Sequence, residues 1–354
     1  MKKIHALSII ILFFFTSCHK ANDSGGTSTD FTTLEGQVIQ DFTNDIVLSQ
    51  YSGLLNASLT LQNSVAVLNT TTNDASQAQA KTDWKNIRSI WEQTEGFLIG
   101  PVESNDYDPN TDTWPTDYIQ MDSLLNSHYD LSTNGVKNLG QSLRGYHPLE
   151  YMIWGKGGSK TPADYTPRQK LYMVSLIDDI RSNNVQPLFN DWFGSGDYKS
   201  QVLNAGNGST EFTTRKALFL NIADAMTDIC TEVGDGKMKE PFEARDSTIT
   251  ESPYSNNTLI DFKNNIIGVQ NVYMGLNGGK GLHNLVAAKQ SDLDQQIQQK
   301  INAALVSFDQ ITERYEEAIW NQRIQVQNTM DALDALSALL DSELRDFINT
   351  NVKD

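Results

Sequence analysis

"TMDALDALSALLDSELRDFI", Thr329–Ile348, decides the fold class. Its apolar residues Met330, Leu333, Leu336, Leu340, Leu344 and Phe347 recur at steps of three and four. That period lays one apolar stripe along an α-helix, whereas a half-buried strand would alternate at two. Upstream the same period returns. Leu293, Ile297, Ile301, Leu305, Phe308, Tyr315 and Ile319 predict a second long helix. "TLIDFKNNIIGVQNVYMG" (258–275) predicts a helix stopped by Gly275, and "TTRKALFLNIADAMTDICTEV" (213–233) another. Cys230 falls beside Ile222, Met226 and Ile229, the place of a small core residue. Between these two helices runs a long polar connection, "GDGKMKEPFEARDSTITESPYS" (234–255), and long connections in a compact fold are often functional.

The first half of the chain reads the same way. Residues 31–68 form a long helical stretch with a candidate break at Gly53. Residues 75–100 form another, with Trp84, Ile87, Trp91 and Leu98 as its stripe and Gly100-Pro101 as its end. A Gly/Pro-rich loop at 155–169 precedes a helix that starts at or just after Pro167. No convincing strand pattern occurs. The stretch at 193–210, "FGSGDYKSQVLNAGNGST", is rich in Gly, Ser and Asn and is the best domain boundary. The expectation is an all-α protein of two helical bundles, residues 33–200 and 201–354.

The chain has 354 residues and a formal net charge of -17, enough length for two domains and too acidic a balance for nucleic acid. Cationic partners and metal ions suit it better. Residues 1–18 read as a targeting segment: Lys2 and Lys3, the apolar run "ALSIIILFFF", then "FTSC". Ser17-Cys18 looks like a bacterial lipobox, with Phe15 where Leu is commoner. On that reading Cys18 carries lipid, residues 19–32 are a flexible tether, and the protein is anchored in the cell envelope, at the outer membrane, on a face the sequence leaves open. A plain signal peptide is the alternative. With Cys18 lipidated, Cys230 has no intrachain partner.

Chemistry concentrates in "RGYHPLEYMIWG", Arg144–Gly155. On a helix, His147 and Glu150 are three apart and project about 60° from each other, close enough to share a cation. Pro148 fits only a first turn, so Gly145 should break the chain and a new helix begin at Pro148. From spacing alone, a helix start with ordinary caps is the favoured reading of the pair. A zinc hydrolase would need three protein ligands and an open position, and no second histidine lies nearby. Further ligands would have to be carboxylates, which favours iron, manganese or calcium-like coordination. Glu95 falls about 40° from Trp91 and Glu92 about 100° away, at the edge of the apolar stripe. Each is a metal ligand or a salt-bridge partner of Arg88. Asp106, Asp108 and Asp112 lack the Gly and Glu spacing of a calcium loop.

These stretches resemble the imelysin-like proteins, bacterial lipoproteins and periplasmic proteins once classed as insulin-cleaving metallopeptidases. "GYHPLEYMIWG" is similar to their Gly-x-His-x-x-Glu motif; "RSIWEQTEGFLIGPV", "DTWPTDY" and "KEPFEARDS" with "SPYSNNTLIDFKNNIIGVQNVYMG" extend the likeness over nearly the whole mature chain. The resemblance implies two helical bundles with a functional cleft between them. It implies iron uptake or regulation, with iron or another divalent metal, or a small iron-associated ligand, bound at His147 and Glu150 and iron-transport proteins as partners. Carried over by position, Glu92 and Glu95 are auxiliary ligands. Gly145, Arg144, Asp112, Trp114, Glu240, Glu243, Arg245 and Ser255 then line the cleft. A metallopeptidase using the same motif, and a surface interaction module without chemistry, are the competing expectations.

Overall fold

The computed structural model describes residues 30–353. The targeting segment, Cys18 and residues 19–29 lie outside them. Every regular element among the described residues is helical. The helices that frame the site are α1 (Phe31–Asp41), α2 (Leu48–Thr70), α3 (Asp74–Thr94), α4 (Tyr107–Asp112), α5 (Tyr146–Trp154), α6 (Pro167–Asp179), α7 (Arg215–Thr231), α8 (Thr258–Met274), α9 (Ser291–Phe308) and α10 (Arg323–Leu339). No helix among the described residues is long and apolar enough to cross a membrane.

Local chemistry sets the helix starts. Asn73 Oδ1 accepts from the Ser76 amide at 2.9 Å and Ser76 Oγ accepts from the Asn73 amide at 3.1 Å, a reciprocal cap for α3. Thr166 caps α6, with Pro167 in its first position. Helix α5 begins at Tyr146, two residues earlier than expected, because Gly145 at φ 90° supplies the break and Pro148 still falls in the first turn.

Three expectations need correction. Gly53 does not break its helix. A π turn at Phe42–Val47 interrupts it instead, and α2 runs on through Gly53. The long helix over 293–319 ends at Phe308 and resumes at Tyr315, since Gln322 Oε1 accepts from the free amides of Thr312 and Glu313 at 2.9 and 3.1 Å. The polar connection is partly helical, with a π turn at Glu232–Met238 and a short helix at Lys239–Ala244.

Helix α3 is central. It packs along α2 on one side and along α8 on the other, while α7 meets the turn that follows α3. Two glycines allow the α3–α8 crossing. A Cβ on Gly268 would fall 2.3 Å from Gln93 O, and one on Gly96 would fall 2.5 Å from the Gly268 carbonyl carbon. Helix α1 lies against the helix at Leu282–Lys289, so the N-terminal segment docks on the second half of the chain. Buried apolar residues from Leu34 to Val352 form one continuous core. The two halves thus meet through packed helix faces.

Candidate metal centre

The α3–α8 contact buries a group of charged side chains. Arg88, Glu92 and Glu95 come from α3 and its end, Asp112 from α4, His147 and Glu150 from α5. Lys237 comes from the π turn, Glu251 from the connection, and Asp261 and Asn265 from α8. All are buried, most of them completely. Uncompensated charge at such depth is expensive, so each must be paired, protonated or bound to a cation.

Arg88 is the hub. Its guanidinium bonds to Glu92 and Asp112, lies 3.1 Å from Glu251 Oε1 and 3.6 Å from Asp261 Oδ1, and rests against the rings of Tyr146 and Trp84. Asp112 also accepts from the Trp91 indole at 2.7 Å. Glu95 does not pair with Arg88. It takes bonds from Trp91 Nε1 at 3.2 Å and Asn265 Nδ2 at 2.6 Å, with Lys237 Nζ 3.7 Å away. Asn265 Nδ2 also bonds Glu92 at 2.6 Å.

His147 Nε2 faces Asp112 Oδ1 at 3.1 Å and Glu251 Oε1 at 3.5 Å, and Nδ1 faces Glu150 Oε2 at 3.9 Å. These are charge contacts without hydrogen-bond alignment: both ring nitrogens, Glu150 Oε2 and Glu251 Oε2 are buried with no hydrogen-bond partner. Glu150 plays a different part from the one its spacing suggested. Its Oε1 accepts from the backbone amides of Tyr254 at 3.1 Å and Ser255 at 2.6 Å, clamping α5 to the connection. Tyr254 in turn walls a surface cavity of about 340 Å³, also lined by Tyr118, Lys156, Arg314 and Glu316. That cavity is open, whereas the charged group lies buried in the interior.

Titration follows the surroundings. Burial pushes Glu92 up to about 8 although Arg88 pulls it back, and burial lifts Glu95 well above the usual range against the pull of Lys237. Burial also raises Asp261 to about 6 and half-buried Asp108 to about 7. Asp112 goes the other way: burial is outweighed by Arg88 and His147, which hold it well below the usual carboxylate range. Glu251 is lowered too, by Lys237 and then His147 acting against burial. For His147, burial opposes the charged form, but Asp112, Glu150 and Glu251 together raise it well above the ordinary imidazole value.

Two sets of donor atoms have the spacing of a cation site: Asp112, His147 and Glu251, and Glu92, Glu95 and Asp112, with the atoms of each set within 4.8 Å of one another. Orphaned nitrogens on His147 beside an orphaned carboxylate oxygen fit a metal ion. One imidazole with several carboxylates suits iron or manganese better than a thiolate-seeking ion.

The structure therefore brings together His147, Glu150, Glu92, Glu95 and Asp112, but gives Glu150 to the backbone clamp rather than to either donor set. Ser255 joins through its amide, and its hydroxyl is buried without a partner. Gly145 abuts α4: a Cβ there would meet Thr111 O at 2.1 Å. Trp114 is half-buried, its indole nitrogen unpartnered. Arg144 is spent on both oxygens of Asp179, each at 2.9 Å, and on Asn110, leaving no fork for an outside anion. Glu240, Glu243 and Arg245 do not join the group. They face solvent because the helix at Lys239–Ala244 buries Pro241 and Phe242, and Arg245 stacks on Trp320.

Sequence reasoning missed Glu251, Asp261, Asn265 and Lys237. Asp261, Asn265 and Gly268 do recur at steps of four and three, on one face of a helix whose other polar residues make that stripe hard to single out. Lys237 keeps step with Met226, Cys230 and Val233. Glu251 carries no periodic signal.

The Synechococcus elongatus protein named iron-regulated protein A is 28% identical over 290 residues, covering 81% of this chain and 76% of that protein. A crystal structure from Parabacteroides distasonis, described as an iron-regulated protein A precursor, superposes with a TM-score of 0.81 at 21% identity, over 94% of this chain and 97% of that one. An imelysin-like protein from Psychrobacter arcticum gives a TM-score of 0.73 at 11% identity, over 89% and 95%. At those identities the two structures speak for the fold alone. The imelysin family model matches residues 47–342, a span that holds every member of the buried charged group. The helices, the Gly-x-His-x-x-Glu turn and this match agree, and the chain belongs to the imelysin family.

Proposed function

We propose that this protein binds iron or another divalent metal, through His147, Asp112 and Glu251, as a lipid-anchored component of the cell envelope. The observation that carries the reading is the His147 ring: fully enclosed, neither nitrogen in an aligned hydrogen bond, Nε2 within 3.5 Å of two carboxylates. Carboxyls outnumber the permanent cations Arg88 and Lys237; burial keeps protons on Glu92 and Glu95 and the surrounding acids keep one on His147, so an incoming cation would replace protons. Relatives named iron-regulated protein A support iron as the cargo. Anchoring through Cys18 at the outer membrane, and hand-over to iron-transport proteins, belong to the same proposal. Glu92 and Glu95 stand by as auxiliary ligands with Asp112.

Titration calorimetry with ferrous, ferric, manganous, zinc and cupric ions tests it, with metal analysis of the purified chain. The expected outcome is stoichiometric binding that His147→Ala weakens by about a hundredfold, as loss of one ligand from a small set would. Unchanged affinity in His147→Ala, or no binding by either protein, overturns the reading and leaves the interaction module. Cleavage of a peptide library by the metal-loaded protein, lost in Glu150→Ala, would establish the peptidase in its place.

A further inference from the structure

Two permanent cations share the acid group, and they are held differently. Arg88 sits mid-helix on α3, wholly buried, bonded to three carboxylates (Glu92, Asp112 and Glu251) and resting on the Tyr146 and Trp84 rings at 5.3 and 5.9 Å. A planar fork so fixed cannot leave. Lys237 sits at the edge. Its Nζ lies 3.4 Å from Glu251 and 3.7 Å from Glu95, both buried, and 3.2 Å from Glu232, whose side chain is 55% exposed. The ammonium therefore spans the interior acids and one solvent-facing acid.

Its backbone is also irregularly wound. Lys237 belongs to the π turn Glu232–Met238, a wider and less common winding than the α-helix. The α-carbon of its neighbour Gly236 faces open space. Glu251 and Glu95 fall in the two different donor sets, which share Asp112. The lysine thus touches both places where a metal could be held.

We infer that Lys237 is a built-in competitor for the cation. Its ammonium fills the acid group when no metal is bound, and a metal ion enters by driving it outward along Glu232. This rests on the metal-binding reading. A metal and an ammonium both in contact with Glu251 would repel each other in an interior that salt does not screen. Arg88, bonded to the same Glu251 oxygen, is fixed, so the ammonium at the edge is the cation that gives way. An incoming monovalent ion gains little by replacing an ammonium of equal charge, whereas a divalent or trivalent ion gains the difference. Lys237 thereby selects for charge, while Arg88 stays as the fixed counter-ion of Asp112 and Glu92.

The test is manganous-ion calorimetry on the full chain, comparing wild type, Lys237→Met and Lys237→Arg. Methionine keeps the apolar stem and removes the competing charge. Lys237→Met should bind Mn(II) about tenfold tighter or more, and Lys237→Arg no tighter than wild type. In the unmutated protein, labelling of Lys237 by an amine-reactive reagent should rise several-fold when Mn(II) is added. That readout decides the matter alone if Lys237→Met fails to fold. Equal or weaker binding by folded Lys237→Met, or labelling that Mn(II) leaves unchanged or suppresses, overturns the inference. If wild type binds Mn(II) through His147 and Lys237→Met binds no better, only this inference falls. If no variant binds and labelling is unmoved, the metal reading falls with it.

Discussion

Glu92 and Asp112 touch the same guanidinium yet titrate in opposite directions. Asp112 has His147 beside it as well as Arg88. Glu92 has burial and the acids Asp112 and Asp261 against the pull of Arg88 and, more weakly, Lys237. The consequence is a defined pH dependence for the metal-free protein. Glu92, Asp108 and Asp261, raised to about 8, 7 and 6, hold protons in the fold that the unfolded chain would release from about pH 4 upward. Stability is therefore lost as pH rises through that span. His147, held above its ordinary value, adds a contribution that is full below about pH 6.5 and is lost at higher pH. Asp112 and Glu251, held low, contribute above the ordinary carboxyl range and lose that contribution in strong acid. Thermal melts in chelator should give a midpoint about 5 °C or more higher at pH 5 than at pH 8. A midpoint that is flat or rising over that interval would mean that the acids are ionised and matched in the fold. Single residues were legible in the sequence where helix phase announced them. Glu95 and Glu92 were found by counting from Trp91, and His147 by its motif. Glu251 was invisible because it sits on irregular chain, where no period links position to direction.

At the scale of elements, the α3–α8 crossing sets the distances within the charged group. Arg88, Glu92 and Glu95 ride on one side, Asp261 and Asn265 on the other, and Gly96 and Gly268 let the backbones approach. Gly268→Ala would put a methyl 2.3 Å from Gln93 O and force the helices apart. A loss of about 1–3 kcal/mol is expected from denaturant melts, as for other overpacked cores, together with weaker metal binding. Normal stability with unimpaired Mn(II) affinity would show that the crossing does not set the site. Helix existence was readable throughout, because the three-four period survives local irregularity. Its interruptions were not. The π turns at Phe42–Val47 and Glu232–Met238 keep the chain winding while shifting the phase; the first carries no Gly or Pro, and in the second the winding runs on through Gly234 and Gly236. Gly234-Asp235-Gly236 read as a stop, and Lys237 was lost with it. The short break before Tyr315 was hidden in the same way: seven residues separate Phe308 from Tyr315, which is two helical turns on paper.

For the whole molecule, the division at residue 200 crosses contacts that matter. The acid group draws Arg88, His147 and Glu150 from before it and Lys237, Glu251 and Asp261 from after it, and α1 docks on the second half. Fragments 33–200 and 201–354 should each melt without a cooperative transition when expressed alone, and regain native circular dichroism on mixing. A sharp, independent transition in either fragment would mark it as a self-sufficient domain. The bundles were expected from the helix periodicity and the boundary between them from a Gly/Ser/Asn-rich stretch, and composition reports where a chain is polar without saying which distant helices pack together. The clamp between Glu150 and residues 254–255 has a last implication. It is made to main-chain amides, so the side chains at these two positions are free of this duty, and substitutions there would leave the join intact. Proline alone, which carries no amide hydrogen, would sever it. A catalogue of variants would thus read these buried positions through their side chains, the Tyr254 ring on Tyr151 above all, and miss the hinge-pin that fastens the histidine turn to the far half of the molecule.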